Sequence, residues 1–136
     1  MKSVIALFLF ATAALAADPY MPTDAERARW TMQDMKSWMI VFDAYKLDHK
    51  EYPRVTTPEE ARAIGEPIYM RTAPMHDAWG HPYRIEANGT TFRIVSAGAD
   101  GVFQEDVSQK GPLKSFNDDA VATNEGKWLV RPWELK

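Results

Sequence analysis

The sequence predicts an α+β domain, with a long N-terminal helix packed on a small antiparallel β-sheet, and three stretches carry that prediction. In the first, Ala28, Met32, Met35, Trp38, Met39, Phe42 and Tyr45 recur at three- and four-residue steps between about Asp24 and Asp48, the period of a helix with one broad apolar stripe. In the second, Tyr83, Ile85 and Ala87 alternate with Arg84 and Glu86, and Phe92, Ile94 and Ser96 alternate with Arg93 and Val95, the period of two half-buried strands. The third is Asn88-Gly89 between those arms, a dipeptide that accepts the two positive φ values of a type I′ hairpin turn. A methionine and aromatic stripe reads as core here rather than as a cofactor slot, because a sheet with one apolar face needs a helix to cover it.

Taken in order, Lys2 supplies a positive start, Val4 to Leu15 an apolar run, and Ala14-Leu15-Ala16 a small-x-small site. Together these read as a secretory signal peptide over residues 1–17, cut near Ala17, followed by one globular domain over residues 18–136. The apolar run is too short to span a bilayer comfortably, so an exported chain, periplasmic or secreted, with no stable membrane span after cleavage is expected. Asp18-Pro-Tyr-Met-Pro22 resists helix. Thr23 and Glu26 fit a capping box for the long helix, and Tyr52-Pro53 ends it. Thr57-Pro58-Glu59-Glu60 opens a second, short helix with a cap, an N1 proline and a reciprocal glutamate, and Gly65 suits its C′ position. Beyond Gly101, Val102 to Phe116 is a long polar connection containing Gly111-Pro112, a length that points to function or flexibility. Ala120 to Thr123 and Trp128 to Arg131 read as a second small hairpin around Asn124-Glu-Gly126-Lys.

Composition removes several classes of function. Sixteen basic and nineteen acidic residues give a net charge of −3, without a basic stripe to neutralise phosphates, so nucleic acid is not a partner. With no cysteine, disulfides, thiolate-bound zinc and a cysteine nucleophile are excluded. His49, His76 and His81 lack metal-ligand spacing and read as surface loop residues, the competing grouping being His76 and His81 with Asp77. There is no nucleophile elbow, phosphate-cradling loop or isolated carboxylate pair. Asp77, Trp79, Gly80, Pro82 and Tyr83 have a structural reading: the carboxylate binds nearby amides, Gly80 takes a turn conformation, and the rings pack under the helix. Asn88-Gly89-Thr90 is formally a glycosylation acceptor and is read as the turn.

Asp77-Ala-Trp79-Gly80-His-Pro82-Tyr83 and Ser96-Ala-Gly98-Ala-Asp100-Gly101 resemble the D-x-W-G-x-P-Y and S-x-G-x-D-G motifs that flank a strand pair in the major (G-type) pseudopilin of bacterial type II secretion systems. Tyr45-Lys-Leu-Asp-His-Lys-Glu-Tyr52-Pro53 is similar to that family's Y-x-x-d-x-g-x-Y-P helix exit. The resemblance runs from Met32 to Gly101, with Asp118-Asp119 a fainter match, and it implies a type IV pilin-like globular domain. It also implies a non-enzymatic protein-interaction module, associated with protein secretion, whose partners are envelope proteins, secretion-apparatus subunits among them. One departure stands out: pseudopilins carry a leader cut after a glycine, and here no glycine precedes Gly65, so a soluble relative is expected.

The family binds calcium in the loop after the S-x-G-x-D-G turn, which implies a site at Asp100, Asp118 and Asp119. Calcium requires six to eight hard oxygens, and Glu105, Asp106 and main-chain carbonyls near Ser96 and Val102 add to the supply, while Lys110 and Lys114 oppose it. The alternative is a small periplasmic ligand-binding or catalytic domain, with a ligand held between the long loop and the sheet.

Overall fold

The computed structural model describes residues 19–104, 111–125 and 130–131. Helix α1, Asp24–His49, starts at a complete capping box: the Glu26 amide donates to the Thr23 hydroxyl at 3.2 Å, and the Thr23 amide donates to Glu26 Oε2 at 2.8 Å. It ends at Lys50, a non-glycine residue with φ of 69°, whose amide donates to the Lys46 carbonyl. Ala28, Met35, Trp38, Met39 and Phe42 are buried as the stripe predicts, Met32 is partly buried, and Thr31 and Val41 join the buried face. Trp38 is fully buried and spends its indole N–H on the Pro74 carbonyl at 2.8 Å, the partner a buried indole needs.

Strand β1 (Arg54–Val55) is followed by helix α2 (Pro58–Gly65), hairpin strands β2 (Arg84–Asn88) and β3 (Phe92–Ser96), the short β4 (Gly111–Pro112), β5 (Ala120–Thr123) and β6 (Val130–Arg131). They form one sheet in the order β1-β2-β3-β5-β6-β4. Four consecutive members, β1 to β3 and β5, are antiparallel, β6 adds antiparallel to β5, and only β4 runs parallel, beside β6. The fold is therefore α+β, with Phe42 packed on Phe92, Phe92 on Tyr52, and Ile85, Ile94 and Ala122 completing the interior. Small residues at Ala120 and Ala122 on β5 keep the strand flush beneath the helix; both are fully buried.

Several local expectations shift. Asn88 lies at the end of β2, opposite Arg54 of β1, and Gly89 alone of the dipeptide has positive φ, 91°. The turn residues are thus Gly89-Thr90, with glycine first, the pattern of a type II′ rather than a type I′ turn. The cause is tertiary. Pairing with β1 keeps Asn88 in the strand and fixes the Gly89 backbone at the start of the turn, for the Gly89 amide donates to the Pro53 carbonyl and its own carbonyl accepts from the Tyr52 amide. In α2 the Thr57 cap is present, but Glu60 reaches one residue further back, to the Thr56 amide at 2.8 Å. Gly65 is a helical residue, not a left-handed C′ residue; the cap is Glu66 in extended conformation. The second hairpin is seen as β5 with β6 through Val121 opposite Val130; Trp128, with Gly126 and Lys127 of its turn, lies outside the described residues. β4 within the long connection is an addition that local pattern did not signal.

Candidate functional site

The two family-like motifs meet in one buried polar knot. Asp77 is 4 % exposed; its Oδ1 accepts from the amides of Trp79 at 3.1 Å and His81 at 3.0 Å, and its Oδ2 accepts from the Ser96 hydroxyl at 2.8 Å. A buried carboxylate with three donors is fully accounted for. Around it, the N-terminal half of α1 is latched to the turn: Trp79 Nε1 donates to Asp24, Arg27 Nη1 to the Ala78 carbonyl at 2.7 Å, and the Ala78 amide to the Thr31 hydroxyl at 3.0 Å. Tyr83 is buried with its hydroxyl between the Thr31 carbonyl and Asp34. Burial first, and then the neighbouring Asp34 and Asp77 charges, push the Tyr83 phenol far above its ordinary range. Burial likewise raises the Asp34 carboxyl, against the lowering by the Tyr83 hydroxyl. The knot holds helix to sheet and leaves no free nucleophile. His76 is exposed, His81 is half-buried and Asp77 is committed to donors, so these three do not form a metal site; among the described residues no three His, Asp or Glu side chains converge on a metal-sized position.

The acidic connection is organised around Gln104, a residue that carried no signal in the sequence. Its amide donates to Asp119 Oδ2 at 2.9 Å, its Oε1 accepts from the Asp119 amide at 3.1 Å, and its Nε2 donates to Asp118 Oδ1 at 3.3 Å. Asp118 Oδ2 accepts from the amides of Lys114 and Ser115, and Asp100 Oδ1 from the Val102 amide at 3.0 Å. Asp119 differs from both. It is 1 % exposed, and its Oδ1 has no hydrogen-bond partner. Burial chiefly, and the nearby Asp100 charge, raise its carboxyl, while Arg84 and Arg93 pull the other way. An orphaned buried carboxylate oxygen is the one feature here that fits a cation, since such an atom is costly without a partner. Asp118 faces the loop amides instead, and Glu105, Asp106 and Lys110 lie outside the described residues. Lys114 makes no ion pair among them.

The outward surface of α1 carries Trp30, Ile40 and Leu47, and Ile68 stands 77 % exposed beyond α2. No helix among the described residues is long and apolar enough to cross a membrane.

No curated protein matches the chain. A family model does, that of type II secretion system protein G, over residues 20–110, a span that takes in α1, the D-x-W-G-x-P-Y turn, the central hairpin and the Asp100-Gly101 turn. The chain thus belongs to the type II secretion system protein G family.

Proposed function

We propose that this chain is an exported, non-enzymatic interaction module of type II secretion, whose globular domain contacts envelope proteins, secretion-apparatus subunits among them. Family membership carries the reading. Its support in the structure is the satisfied Asp77 knot, which spends the polar residues of the best-matched motif on architecture, and the apolar side chains exposed along α1. The signal-like stretch from Lys2 to Ala16 supports export to the periplasm or beyond. Calcium belongs to this reading as the ion that would draw Asp100 and Asp118, whose carboxylates do not converge with Asp119 in this structure, onto the Asp119 carboxylate and so order the connection after Gly101; the orphaned Asp119 oxygen supports it. Affinity capture from the envelope fraction of the native host, with the tagged chain, tests the proposal. Recovery of secretion-apparatus subunits is the expected result; a tightly retained small molecule with no such subunit overturns it.

A further inference from the structure

On the face of the sheet away from α1, a cavity of about 80 Å³ opens under the start of the long connection, lined by Arg84, Glu86, Arg93, Val95, Gln104 and Asp119. Strand register builds it. Ile85, Ala87 and Ile94 point to the helix side, so Arg84 and Glu86 on β2 and Arg93 and Val95 on β3 face outward, with Glu86 directly opposite Arg93 and Arg84 opposite Val95. Asp119 reaches the same face from the residue before β5, and Gln104 pins the loop above it. The Arg84 guanidinium lies 4.0 Å from the centre of the Phe103 ring, so one charged wall is held in place by an aromatic one.

The lining decides the ligand class. Two guanidinium groups and two carboxylates face one space, so inside it a cation meets Arg84 and Arg93, and calcium at Asp119 would have to sit outside it, toward Asp100 and Asp118; an anion meets Glu86 and the buried Asp119. An apolar group finds only Val95. What remains is a neutral group that donates to carboxylates and accepts from guanidinium and amide N–H groups at once, which is the capacity of a hydroxyl. Among the described residues neither arginine is held in an ion pair, so their donors are available. The volume corresponds to two or three waters at roughly 30 Å³ each, enough for two adjacent hydroxyls and too small for a whole sugar ring.

We infer that this cavity is a subsite for the edge of a neutral polyol, a vicinal diol such as a sugar ring presents, bound between Arg84 and Arg93 on one side and Glu86 and Asp119 on the other. This inference does not rest on the secretion reading, and either can fail alone.

Titration of the ¹⁵N-labelled full chain with glucose, galactose and glycerol, followed by NMR, tests it; chelator is present, because calcium draws on the same Asp119 carboxylate. The expected result is a saturable perturbation of the Arg84 and Arg93 Nε–H and Gln104 side-chain amide signals by at least one of the three probes. The dissociation constant should be on the order of 10 mM, as a few exchanged hydrogen bonds support. Arg93→Ala and Glu86→Ala, two exposed positions on the strands that line the cavity, should each weaken it at least about fivefold, a loss of about 1 kcal/mol, with the backbone spectrum unchanged away from the substituted residue and its cross-strand neighbour. An unsaturable response to all three probes shows a crevice that holds water alone and overturns the proposal. So does tighter binding of acetate or methylguanidinium, or binding that survives both substitutions.

Discussion

The Ser96 hydroxyl donates to Asp77 Oδ2 at 2.8 Å, so a residue at the end of the interior strand β3 and one in the turn before β2 are buried partners. The same hydroxyl accepts from the Gly98 amide at 3.3 Å. The two family motifs are therefore one structural unit, and the spacing between them is the length of the hairpin that carries them.

Removal of Asp77 should be felt at every member of that unit. Asp77→Ala strips acceptors from two amides and a buried hydroxyl, and should cost about 3 kcal/mol or more, given about 1.5–3 kcal/mol for a single hydrogen bond to a charged group. Ser96→Ala should cost about 1–2 kcal/mol. Denaturant unfolding of both and of the double variant measures the coupling, expected above about 0.5 kcal/mol for side chains in direct contact. Additive losses would show that the bond between them contributes nothing.

Gly98 and Gly101 share a left-handed backbone, with φ of 74° and 69°, but differ in what a side chain would meet. A β-carbon on Gly98 would stand 2.5 Å from the Phe116 carbonyl oxygen and 2.8 Å from that of Asp118, whereas one on Gly101 would meet the His81 imidazole, a side chain that can rotate away at the loss of its 3.3 Å contact with the Ala99 carbonyl. Both alanine variants carry the left-handed strain of about 1–2 kcal/mol. Gly98→Ala should cost a further 1–3 kcal/mol or so by overpacking against backbone, and should expose the Ala99 amide, now donating to Phe116 at 2.7 Å, to faster hydrogen exchange. Equal losses at the two glycines would refute the clash.

Lys50 occupies the position where the helix-exit pattern has glycine, and it holds φ of 69°. Lys50→Gly relieves the left-handed strain while adding freedom to the unfolded chain, so a net gain of about 0.5–1 kcal/mol is expected. Thermal unfolding decides it, and a loss would show that the Lys50 side chain contributes more than its backbone costs.

Most of the fold was legible because its signals are local. The Thr23-Glu26 box, the apolar stripe and the two alternating arms each specify an element without help from distant residues, and the helix, the hairpin register and the burial of Trp38 follow them. What was not legible depends on contacts far apart in sequence. Asn88-Gly89 carries the chemistry of one turn and adopts another because β1 pairs with it. Gly65 has the look of a helix terminator and stays helical. At the acidic loop the aspartates were visible as residue types, but the role of Gln104 as their common partner depends on a chain reversal over fifteen positions that no short motif encodes. The cavity on the outer sheet face was hidden for a related reason: alternation shows that Arg84, Glu86 and Arg93 face outward, not what covers them.

The Asp119 carboxylate gives a test in which two effects carry opposite signs. Its folded-state pKa is raised, with burial as the main cause, so the folded state holds the proton more tightly than the unfolded chain does. The stability this supplies is complete below the unfolded value near 3.9 and is lost as pH rises through the folded one. In chelator, Asp119→Asn should therefore stabilise the domain at neutral pH, with the advantage shrinking as pH falls toward the unfolded pKa. With calcium the order should reverse. At a free concentration about a hundred times the dissociation constant, the ion adds about 2.7 kcal/mol to the parent chain, and a ligand set lacking one carboxylate loses most of that. Thermal unfolding of the parent, Asp119→Asn and the Asp100→Ala, Asp118→Ala double variant, each with calcium and with chelator, separates the terms. A parent chain indifferent to millimolar calcium, or a double variant that keeps the full calcium shift, removes the proposed ion. A gain from Asp119→Asn that persists unchanged to low pH would show that the buried charge is not what the substitution relieves.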